Sequence, residues 1–180
     1  MHSLKADRIA EHPWHCPPST PARMSAFLTF TNKDILNGSL VLPNGAVRYT
    51  ISTGSQFLGL KRAPTIVTAL TDNITGSVNW EGGTFTIGGV ERPWKTLKHH
   101  VWDQNKEEWK WGDISYTVRF SSEWGEWTAR PTQGWTDVAR LEQRKNAPPT
   151  LALSAELGDE TERMFMVLVM IFCKKIIGYA

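Results

Sequence analysis

A chain of 180 residues is long enough to bury a continuous core and fits one domain better than two. Its 20 Lys and Arg against 18 Asp and Glu leave a net charge of +2, so no broad field draws in nucleic acid or an anionic membrane; any charge-driven partner must use a local patch. The two cysteines, Cys16 and Cys173, make no disulfide framework and point to an intracellular, reducing setting, cytoplasmic or at a membrane periphery.

Residues 1–23 carry Pro13, Pro17, Pro18 and Pro21 and no periodic apolar pattern, which predicts a flexible arm ahead of a single domain over 24–180. The arm holds no apolar stretch of about seven residues, so no secretory signal is expected. Asn37-Gly38-Ser39 and Asn73-Ile74-Thr75 then read as turns, not glycosylation acceptors.

From residue 26 onward, short runs rich in β-branched and aromatic residues alternate with turn residues, the pattern of an antiparallel sheet. Residues 26–30 come first. Runs 39–42 and 46–52 flank Pro43-Asn44-Gly45, whose Asn-Gly pair suits a tight hairpin. Runs 65–70 and 76–80 bracket Asp72-Asn73, and 84–87 lies between Gly82-Gly83 and Gly88-Gly89. Runs 108–111, 115–120, 123–129, 137–142 and 150–154 continue the series to about nine to eleven segments. Trp109 and Trp111, two apart, fall on one face of any strand they occupy. Neither a long repeat nor strand-helix alternation occurs, which leaves an all-β barrel or sandwich.

Residues 164–173 are apolar without interruption and stop at Lys174-Lys175. A transmembrane helix needs about 18 or more such residues, so this run is expected inside protein. Asp159 with Glu162 three residues on forms a capping box before it, favouring a helix over a strand. A helix apolar on every side cannot lie on a surface. It is expected to run through a barrel of the chain's own strands.

The stretches Asn37-Gly38-Ser39-Leu40-Val41 with Gly45, Tyr49-Thr50-Ile51-Ser52-Thr53, Thr65-Ile66-Val67 and Gly76-Ser77-Val78-Asn79-Trp80 resemble a fungal family of domains of unknown function, similar to the tubby and LURP-one class. Gly112-Asp113-Ile114-Ser115-Tyr116-Thr117-Val118 and the closing Asp159-Glu160, apolar run and Lys174-Lys175 fit the same pattern, over about residues 27–175. The resemblance implies a mainly β, tubby-like antiparallel barrel around a hydrophobic C-terminal helix. Relatives in the wider superfamily bind phosphoinositides or act like scramblases, but none of their lipid motifs maps residue by residue onto this chain.

Motifs for catalysis are missing. No Gly-x-Ser-x-Gly elbow or phosphate-binding loop occurs, and His12, His15 and Cys16 in the arm, like the adjacent His99 and His100, do not form a metal site. Acidic pairs such as Glu107-Glu108 and Glu123 with Glu126 read as solvated faces, and no cofactor is expected. The nine tryptophans suit core packing first and a stacking platform second. Lys61 and Arg62, with Lys95, Lys98, His99 and His100 beside Trp94 and Trp102, form a basic and aromatic mixture suited to a phosphorylated head group. The expectation is therefore a monomeric, non-enzymatic binding module without a transmembrane segment. Its partner is expected to be an anionic lipid or a protein, and not nucleic acid. A barrel enclosing a small molecule or carbohydrate is the alternative.

Overall fold

The computed structural model describes residues 24–54, 63–100 and 106–177. Among them run strands β1 (Met24–Phe30), β2 (Gly38–Val41), β3 (Val47–Thr53), β4 (Thr65–Ala69), β5 (Thr75–Asn79), β6 (Thr84–Ile87) and β7 (Val90–Pro93). A helical turn α1 (Trp94–Leu97) leads to β8 (Lys98–His100), β9 (Lys106–Lys110), β10 (Ser115–Ser121), β11 (Glu126–Pro131), β12 (Ala139–Glu142) and β13 (Thr150–Ser154). The helix α2 (Glu160–Ile177) closes the series.

All thirteen strands belong to one antiparallel sheet in the order β7-β6-β5-β4-β3-β2-β1-β13-β12-β11-β10-β9-β8. It consists of two meanders, β1 to β7 and β8 to β13, joined where β1 pairs with β13. The mainly β, antiparallel expectation holds. Strands β7, β8 and the turn between them were not foreseen.

Twisted sheets of more than about ten strands curl, split or flatten. Here the two ends approach each other. Strands β7 and β8 are linked by the four residues of α1, and Phe85 on β6 stacks on Trp109 of β9 with ring centroids 5.7 Å apart. Arg92 of β7 lies over the Trp111 ring at 4.8 Å and donates to the Trp111 carbonyl. These are side-chain contacts, and the hydrogen-bonded ladder stays open between β7 and β8 among the described residues.

Turn chemistry sets the registers. Gly45 takes φ +82° between β2 and β3, and its N–H bonds to the Leu42 carbonyl at 2.8 Å; the expected hairpin forms there, with a bulge between Leu40 and Val41. Between β6 and β7, Gly88 and Gly89 both have positive φ, as a two-residue type I′ hairpin requires, with Ile87 opposite Val90.

Period-two alternation turns Val67, Val78, Phe85, Tyr116, Val118, Trp127 and Leu141 inward. They share one buried core with residues 164–173 of α2, which are all 0–5% exposed. The helix touches strands from both meanders: Phe165 meets Phe85 and Trp111, and Phe172 meets Phe85 and Trp109. Gly76 on β5 lets the strand pass close, since a Cβ there would sit 2.7 Å from the Met164 Sδ. The helix begins as expected: Asp159 Oδ1 accepts from the Glu162 N–H at 2.9 Å. Glu162 reaches back one residue further than in a capping box, to the Gly158 N–H at 3.1 Å.

Candidate functional site

Polar groups gather at the two ends of α2. At its N-terminal end Glu160 is only 7% exposed, because the helix carries it against β3. Its carboxylate accepts from the Tyr49 hydroxyl at 2.6 Å and from Arg48 Nη2 at 2.7 Å, with Arg163 Nη1 at 3.5 Å. Arg48 Nη2 also reaches Asp72 at 3.0 Å. Guanidinium groups and the positive end of the helix dipole, equivalent to roughly half a charge, offset the buried acid.

Burial, then the Glu160 carboxylate, push the Tyr49 hydroxyl well above its ordinary value of 10.0. Tyr116 moves the same way through burial and the nearby Glu162. A folded-state pKa above the unfolded one means that the unfolded chain releases the proton first as pH rises. Stability is therefore intact below about pH 10 and declines above it. Urea unfolding across the alkaline range should show this fall, and Tyr49→Phe should flatten it.

At the other end of α2 the Cys173 thiol is fully buried beside Glu107, whose Oε2 accepts from Trp109 Nε1 at 3.2 Å and lies 3.8 Å from Cys173 Sγ. Lys98 pairs with Glu107 Oε1. Burial first, and Glu107 second, raise the thiol pKa well above its ordinary value, so Cys173 is a protonated core residue and not a nucleophile.

Of the basic and aromatic residues expected to act together, Trp94, Lys95, Lys98, His99 and His100 fall among the described residues. Lys61, Arg62 and Trp102 lie outside the described residues, as do His12, His15 and Cys16. Trp94 is half-buried, its ring 4.8 Å from Phe172 and 6.4 Å from Phe85. Lys98 and His99 are neighbours on β8 and so face opposite ways: Lys98 inward to Glu107, His99 outward and exposed, opposite Glu108 on β9. Among the described members of the set, Lys95 and His99 are exposed.

Most of the described tryptophans serve the core. Trp109, Trp111 and Trp127 are buried, while Trp80 and Trp94 are half-buried and stack or tilt against Phe172. Trp124 and Trp135 stand out, 70% and 84% exposed. Trp124 borders a groove of about 400 Å³ with Glu126, Arg140, Glu142, Gln143 and Arg144. A second groove of about 490 Å³ runs past Glu108, Lys110, Asp113 and Thr132. Sequence reasoning paired Glu126 with Glu123; the register instead sets Glu126 directly opposite Glu142. Neither that pairing nor the Arg48, Tyr49 and Glu160 cluster left a sequence signal, because one depends on the exact register of β11 with β12 and the other on where α2 docks against β3.

No group of three or more His, Cys, Asp or Glu side chains suited to a metal ion occurs among the described residues. No helix among them is long and apolar enough to cross a membrane. Compared with protein-family models, curated proteins and solved structures, the chain matches none.

Proposed function

We propose that this chain is a non-enzymatic binding module, a tubby-like barrel that works through its outer surface. The observation that carries the reading is the burial of residues 164–173 of α2. Their side chains occupy the space an enclosed ligand would need, so the alternative of a small molecule or carbohydrate held inside has no support from the interior. In this reading the sheet closes around α2 through the Phe85, Trp109 and Arg92 contacts at the seam between β7 and β8.

The ligand proposed for the seam is an anionic lipid head group. Exposed Lys95 lies within the helical turn and exposed His99 follows it, while Lys61 and Arg62, outside the described residues, are candidates from the sequence alone. A lysine or arginine near an anionic surface contributes about 1 kcal/mol. The test is flotation with phosphatidylcholine vesicles, with and without phosphoinositide. Co-flotation confined to the phosphoinositide vesicles, and weakened in a Lys95→Ala, His99→Ala variant, is the expected result. Equal recovery from both vesicle types would remove the lipid reading and leave a protein partner.

A further inference from the structure

The groove beside Trp124 lies on the outer face of β11 and β12, three strands in from β8, and is independent of the lipid reading of the seam. Its composition follows from strand parity. Trp127 and Leu141 turn into the core, so Glu126, Arg140 and Glu142 must turn outward. The β10 to β11 turn then places Trp124 at the rim, next to Gly125 with φ +62°. The Gln143 N–H donates to the Gly125 carbonyl at 3.3 Å and ties that turn to the end of β12.

Three features of the groove are unusual for a surface that serves only the fold. Glu126 and Glu142 are direct cross-strand partners, an unfavourable placement of like charges. The arginines offset it loosely: Arg140 Nε is 3.9 Å from Glu126, Arg140 Nη2 is 3.4 Å from Asp137, and Arg144 Nη2 is 3.4 Å from Glu142. Arg140 Nε is itself shielded from solvent and has no hydrogen-bond partner, a donor left unused.

The charges select the ligand class. Two carboxylates and two guanidiniums cancel, so a phosphate would face the glutamates and an ammonium would face the arginines. A neutral molecule with a flat apolar face and adjacent hydroxyls suits every group present. The indole offers a stacking surface for the C–H face, while carboxylate, guanidinium and amide groups supply paired acceptors and donors for hydroxyls. We propose that this groove binds a neutral saccharide, with Trp124 as the platform and Glu126, Arg140, Glu142 and Gln143 as hydroxyl partners.

Isothermal titration of the full chain with oligosaccharides of β-linked glucose, β-linked N-acetylglucosamine and α-linked mannose tests this. At least one is expected to bind, with an affinity that added salt leaves unchanged, as for an uncharged ligand. Trp124→Ala should weaken that binding by about tenfold or more, a difference titration resolves readily. Trp135→Ala should leave it unchanged. Trp124 is largely exposed, so its variant should melt with the wild type; the near-isosteric Glu142→Gln gives a second reading and should weaken binding severalfold. Absence of binding to every neutral oligosaccharide, binding confined to sulfated oligosaccharides or polyamines, or full binding by both variants would overturn the proposal.

Discussion

Replacing Phe172 by alanine is expected to destabilise the protein by about 3–5 kcal/mol, the range for a large aromatic removed from a core that cannot collapse around the void. The ring sits 5.8 Å from Trp80, 5.5 Å from Phe85, 4.8 Å from Trp94 and 5.3 Å from Trp109. Those partners come from the end of β5, from β6, from α1 and from β9, so one side chain bridges both meanders where the ladder is open. Small relaxations of one strand cannot fill the space. Against a typical total of about 5–15 kcal/mol, the loss should lower the urea midpoint sharply and leave a measurable unfolded fraction. Phe172→Leu keeps more of the volume and should cost less. A double-mutant cycle with Trp109→Ala should be non-additive, as expected for residues in direct contact. A Phe172→Ala variant within about 0.5 kcal/mol of wild type, the range of ordinary surface changes, would show that the ring is not enclosed.

Glu160→Ala has a comparable expected cost, about 3 kcal/mol, at the low end of the range for breaking a buried ion pair. Removal of the carboxylate strands the Tyr49 hydroxyl and takes from Arg48 its 2.7 Å partner. The low end applies because Asp72 still holds Arg48 at 3.0 Å and the Arg48 side chain is 22% exposed. The penalty comes from uncompensated groups and not from the pair's own strength, so removing both partners should be gentler than removing one. Denaturant unfolding of Glu160→Ala beside an Arg48→Met, Glu160→Leu variant distinguishes the two origins. If the double variant is the less stable of the two, the pair itself is the source of stability.

Features governed by neighbours in sequence were legible before the structure. Gly45 in a hairpin, Asp159 as a helix cap, and Trp109 and Trp111 on one inward face all follow from local rules of φ, capping and strand parity. Strands β7 and β8 escaped because Val90–Pro93 is short, mostly polar and ends in proline, and Lys98–His100 is three polar residues, the composition of edge strands rather than of a half-buried sheet. Lys98 and His99 stand side by side in the sequence, yet strand β8 sends them to opposite sides. The Glu160 cluster joins residues 111 positions apart, and the Trp124 groove depends on the register of β11 with β12. Docking of a helix on a remote strand, and the exact register of a strand pair, leave no periodic trace in the sequence.

The proposed barrel rests on α2 being enclosed by the chain's own strands. Native-state hydrogen exchange of the amides of residues 164–173 tests it most directly. Enclosure predicts that they are among the slowest in the molecule, opening only with global unfolding and with the same free energy as denaturant melting. Exchange of those amides well before the amides of β10 and β11 would mean that the helix detaches while the sheet stays folded, and would contradict the account.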